Sequence, residues 1–149
     1  MKFVRAWQAA LTAAVGVLLM PAIAAATPSA GVESEVLGTF DVPFSLPGAP
    51  AGGTDVTFRR IEIAPGGYTG WHWHEGPVYA LVAGGTLTRV LADCAEVVSP
   101  AGTVVEEVVG PAERHNGVNK GDVPTVLFVT YLIPSGQPIA VDVEAPACM

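Results

Sequence analysis

Residues 66–85, GGYTGWHWHEGPVYALVAGG, carry two of the three histidines in a chain of 149 residues. Side chains two apart in a strand project to the same side, so His72 and His74 share one space while Trp71 and Trp73 share the other. Two neutral imidazoles converging in this way are a natural pair of metal ligands, and a third from a neighbouring strand would cap one face of an ion. An isolated His-x-His is more often an ordinary hydrogen-bonded pair. The reading therefore turns on His115, which lies in residues 110–122, GPAERHNGVNKGD.

Around these histidines the chain reads as all-β. Short runs rich in Val, Ile, Thr and aromatic residues alternate with Gly/Pro turns about every ten residues, and no window sustains a helical period. The expected strands are 35–40, 56–63, 69–74, 78–82, 86–91, 96–98, 103–109, 126–133 and 139–143. TVLFVTYLI, residues 125–133, is apolar in both phases, which predicts a central strand buried on both faces, whereas TLTRVL, residues 86–91, alternates and predicts one wet face. Such a set closes as a barrel, a two-sheet jelly roll or an immunoglobulin-like sandwich.

The histidine spacing separates these folds. Gly66, five residues, His72-x-His74, three residues, Val78, six residues and Gly85 resembles the first motif of the cupin superfamily, with Val78 in the slot where that motif has Glu. His115 and Asn119 match the His-x-x-x-Asn end of the second motif. The Pro and Gly expected upstream of it are replaced by Gly110 and Ala112, with a proline displaced to Pro111. The resemblance spans residues 56–133 and implies a single-domain cupin-like β-barrel or jelly roll with a divalent metal held by His72, His74 and His115. Imidazole suits several ions, so Zn, Cu, Ni, Mn and Fe all stay open.

Val78 leaves that ligand set without a carboxylate. Glu113, two residues before His115, would face the barrel if its segment were extended and is the candidate replacement, against a reading as a solvated rim charge. Glu106 and Glu107 must also point somewhere along TVVEEVV, residues 103–109, but nothing in the sequence identifies either as a ligand. Phase places Val78, Ala80 and Val82 on the pocket wall, small and apolar. Tyr79 should face away, and Trp71 and Trp73 should cover the outer face or a homodimer contact. Asn119 reads equally as a turn residue between Gly117 and Gly121.

The ends and the charge narrow the setting. Residues 1–26 join Lys2 and Arg5 to an apolar run and an Ala24-x-Ala26 site, the pattern of a signal peptide for secretion or the periplasm. Residues 27–34 are expected to be a flexible leader, and 35–149 the barrel domain, with no stable membrane association once the signal is removed. The formal net charge is −7, and all fourteen acidic residues lie beyond Lys2 and Arg5. So acidic a domain repels phosphate backbones, which excludes nucleic-acid binding and favours a small-molecule ligand. In an exporting compartment the two cysteines, Cys94 and Cys148, are expected to form a disulfide. Three function classes follow: a metalloenzyme such as a small-molecule dioxygenase, a non-catalytic small-ligand binder, and a structural cupin without metal.

Overall fold

The computed structural model describes residues 26–44, 48 and 51–147, so the signal-like segment, save Ala26, and Cys148 lie outside the described residues. The β-rich runs form ten strands: β1 (Ala30–Val42), β2 (Thr54–Tyr68), β3 (His72–Trp73), β4 (Val78–Gly84), β5 (Thr86–Leu91), β6 (Glu96–Pro100), β7 (Val104–Glu107), β8 (His115–Val118), β9 (Thr125–Pro134) and β10 (Val141–Asp142). One 3-10 turn, Pro111–Glu113, precedes β8. Among the described residues no helix is long and apolar enough to cross a membrane. β1 begins at Ala30, inside the stretch expected to be a leader, because eleven of its residues find partners on β2.

One sheet wraps around the interior in the order β10-β3-β8-β2-β9-β4-β7, with β1 added to β2 and the β5-β6 hairpin added to β8. β2 makes this possible by serving two partners: its first ten residues pair with β9, and Tyr68 at its far end pairs with Val118 of β8. Gly66, the first motif glycine, sits between these two parts with φ 76°, a left-handed conformation that a side chain would disfavour. Gly85, the last motif glycine, has φ 67°, and a Cβ there would lie 2.5 Å from the Pro124 carbonyl oxygen.

Period-two alternation sorts the side chains. On β4, Val78, Ala80 and Val82 are buried while Tyr79 and Leu81 are exposed. The first three join Ile61, Ile63, Leu87, Val105, Leu127, Val129, Tyr131 and Ile133 in one core cluster. Burying a side chain of this kind contributes roughly 1.5 to 3 kcal/mol. β9 lies between β2 and β4, as its sequence predicts, but its outer face is only partly covered: Val126 and Leu132 are half-buried and Phe128 is 44% exposed. Its second apolar phase is therefore half-covered rather than buried.

Register places the interior residues in rows across β7, β4, β9 and β2. One row is Glu107, Val78, Tyr131 and Thr57, and the next inward-facing row is Val105, Ala80, Val129 and Arg59. Glu107, Tyr131 and Arg59 in these rows line cavities that they share with the histidines. The rows beyond are apolar and form the core.

Candidate metal centre

Each histidine reaches the centre from a different support. His72 in β3 is directly opposite His115 in β8, so their rings share one face of the sheet with centroids 4.5 Å apart. His74 has left the strand, which is only two residues long, yet its ring still falls 4.9 Å from that of His72. His74 and His115 are buried, and His72 is partly buried.

Three backbone carbonyls orient the imidazoles. Nδ1 of His72 lies 2.9 Å from Gly70 O, Nδ1 of His74 lies 2.6 Å from Ile139 O, and Nδ1 of His115 lies 2.9 Å from Glu113 O. A carbonyl only accepts, so each Nδ1 carries the proton and donates it. A ring that is otherwise neutral then keeps its Nε2 lone pair for the common space, whereas a ring that bonds a carboxylate through Nε2 carries a second proton there.

The carboxylate in that space belongs to Glu107. Its Oε2 is 3.1 Å from His74 Nε2 and its Oε1 is 3.3 Å from His115 Nε2. The second contact is close but not aligned as a hydrogen bond, and His115 Nε2 is buried without a hydrogen-bond partner. Burial alone would raise the Glu107 carboxyl; its contacts with His115 and His74 and their charge outweigh this and hold it well below the usual carboxylate range. Burial, then the charges of His115 and His74, press His72 down to about 4. Burial also lowers His115, but the Glu107 carboxylate it faces raises it above its ordinary value.

Together His72, His74, Glu107 and His115 bring one donor atom each to within 4.8 Å of one another. Two donors at ~2.1 Å from one ion are at most ~4.2 Å apart, and only when they stand on opposite sides of it, so the widest pair has to close by at least roughly half an ångström to share an ion. Three imidazole nitrogens fixed from behind, one of them buried with no hydrogen-bond partner, and one carboxylate fit a divalent transition metal.

The other expected residues fall elsewhere. Glu113 does not face the barrel: it ends the 3-10 turn that Gly110 and Pro111 introduce, its side chain is exposed, and it serves the site through its carbonyl. Glu107 could be separated from Glu106 only by its phase with buried Val105 and by the β4 register. Asn119 is a fully buried turn clamp, donating from Nδ2 to Ile63 O and Val123 O and accepting from Gly121 N. Trp71 points away from the histidines as expected, but the chain itself covers it: it is 2% exposed and lines a separate cavity of about 540 Å³ with Tyr68, Val90, Cys94 and Val118.

Two further residues complete the surroundings. Tyr131 packs against His74 at 5.8 Å between ring centroids, and burial and then the Glu107 charge hold its hydroxyl up at about 12. Arg59 lines, with His72, His74 and Tyr131, a cavity of about 250 Å³. Ala80 lines a smaller space of about 40 Å³ beside Glu107, while Val78 and Val82 are packed in the core.

No family model matches the chain, and no curated protein matches it by sequence. Solved structures do match. The polyketide cyclase RemF from Streptomyces resistomycificus superposes with a TM-score of 0.58 at 18% identity, over 87% of this chain and 89% of that one. A double-stranded β-helix protein from Klebsiella pneumoniae gives 0.57 at 14% identity, over 76% and 84%. A cupin domain from Bordetella pertussis gives 0.50 at 20% identity, over 72% and 97%. The fold is the cupin barrel, in agreement with the motif reading.

Proposed function

We propose that this cupin barrel binds one divalent metal ion through His72, His74, Glu107 and His115 and presents it to a small molecule entering past Arg59 and Tyr131. The observation that carries the proposal is the backbone support of all three imidazoles: each Nδ1 donates to a carbonyl, which leaves three Nε2 atoms converging beside one ionised carboxylate. Without an ion, that arrangement leaves a buried Nε2 of His115 unsatisfied.

A bound ion of this class supplies a Lewis acid and, where it is redox-active, a site for oxygen chemistry. The chain's own residues then do the rest. The carbonyls hold the rings, Glu107 lowers the net charge of the site, and the apolar rows beneath exclude water. Tyr131, with its hydroxyl held up at about 12, stays protonated at neutral pH and donates rather than abstracts. Glu107 is committed to the histidines. This favours reactions that need no resting base, a dioxygenase type among them, over base-initiated ones. The same scarcity of bases supports the second reading, a module that holds a small ligand without turnover.

The setting we propose is export. The basic start and apolar run of residues 1–26 and the acidity of the remainder support it, and mass determination of the secreted chain's first residue tests it. A Cys94–Cys148 disulfide belongs to the same proposal, and peptide mapping without reductant tests it. For the metal centre itself, elemental analysis is decisive: one ion per chain is expected, and its loss in both His72→Ala and His74→Ala.

A further inference from the structure

We infer that Arg59 is the anion-binding group of this site, fixing the carboxylate of a small organic acid whose second donor atom reaches the four-ligand cluster. This rests on the proposed metal centre and names its substrate class.

Comparison with Arg60 sets Arg59 apart by its phase. Arg60 is in the outward phase and pairs with Glu62 two residues beyond. Arg59 is in the opposite phase, in the same inward row as Val129, Ala80 and Val105. Among the described residues no carboxylate forms an ion pair with it, and its Nε, like those of Arg89 and Arg114, is buried with no hydrogen-bond partner; of the three, Arg59 lines the cavity that His72 and His74 share. A partly buried cation without a counter-ion is favoured by an anion that arrives beside it. Tyr131 is near enough for the guanidinium to act on its hydroxyl, but a phenol brings no compensating charge.

Charge and shape agree on what arrives. Three neutral imidazoles and Glu107 leave a divalent ion with one net positive charge, and Arg59 adds a second a short way along the same cavity. Asp142 also lines that cavity, but it is exposed on β10 and offsets only part of the field. The planar guanidinium fork matches a carboxylate in two parallel hydrogen bonds. At about 250 Å³ the space is below the usual range for drug-sized ligands, and Val32, Ile61 and Ile139 on its walls suit a short carbon skeleton.

The test uses full-length protein loaded with Co(II), whose visible spectrum responds to entering donors. Glycolate, 3-hydroxypropanoate and 2-hydroxybutanoate are titrated beside their amides, with cobalt content and thermal midpoint measured on every sample. At least one acid should bind wild type about tenfold more tightly than its amide. Arg59→Gln should remove that preference while amide binding and cobalt content stay unchanged, and Arg59→Lys should keep part of it. No acid-over-amide preference in cobalt-loaded wild type, or a preference that survives in Arg59→Gln, overturns the inference. If wild type takes up no cobalt, the metal centre itself has failed. Calorimetry of the same acids with metal-free protein then decides Arg59 separately: heat that disappears in Arg59→Gln supports the assignment, and matching isotherms refute it.

Discussion

Val78 and Glu107 are directly opposite each other across β4 and β7, so the buried valine backs the carboxylate that reaches His74 and His115. The chain thus supplies its acidic ligand one strand away from the slot where the cupin motif has Glu. Since only the charge is at issue, Glu107→Gln is the informative change. It should weaken metal affinity by one to two decades, about 1.4 to 2.8 kcal/mol, in competition titrations. Glu113→Gln, at an exposed position, should leave affinity unchanged, and equal losses in the two variants would contradict the assignment.

Putting Glu at position 78 should not improve this site. Val78→Glu would place a second carboxylate against Glu107 in a buried row, with a cost on the order of 3 kcal/mol from desolvation and like charge. Adding Glu107→Val removes the repulsion, so the double variant should regain thermal stability and bind metal again. A single variant as stable as wild type would show that the two positions do not face each other.

What was legible in the sequence and what was not divides along strand phase. His72, His74 and the inward set of β4 follow from period two alone, and the motif glycines have clear backbone reasons at Gly66 and Gly85. Glu107 was hidden because two adjacent glutamates on a four-residue strand differ only in phase, and β7 is too short to establish that phase without its partner. Glu113 was misleading because Gly110 and Pro111 turn the chain before β8, which cancels the extended-strand argument. Backbone carbonyls that fix tautomers leave no trace in residue identity. Arg59 could have been found: it alternates with buried Ile61 and Ile63, whereas Arg60 does not.

Acid should destabilise the metal-free protein in a defined window. His72 stays neutral in the folded state down to about 4, while the unfolded chain takes up that proton near 6.5. The unfolded state therefore binds more protons between those values, and stability falls as pH drops across them, by up to about 3 kcal/mol. Glu107, lowered in the folded state, adds to the loss at more acidic pH. His115 acts oppositely: raised in the folded state, its contribution is present below 6.5 and is lost as pH rises through its folded value. Thermal melts of chelator-treated protein should therefore peak near pH 6.5 and decline on both sides. A profile flat from pH 4 to 6.5 would contradict the burial of His72.

Asn119 should prove structural. Asn119→Ala removes two donated hydrogen bonds and one accepted one at a fully buried position, which should cost about 2 to 4 kcal/mol. Metal stoichiometry of the folded fraction should be unaffected. Denaturant unfolding and elemental analysis on one preparation check both parts, and loss of metal without loss of stability would reverse the assignment.

The most direct measurement of the central claim is X-ray absorption spectroscopy of the metal-loaded protein compared with its Glu107→Gln and His115→Ala variants. The expected coordination shell has three imidazole nitrogens and a carboxylate oxygen, losing one imidazole in His115→Ala and the carboxylate in Glu107→Gln. A shell that contains fewer than three imidazoles, or one that neither substitution alters, would contradict it.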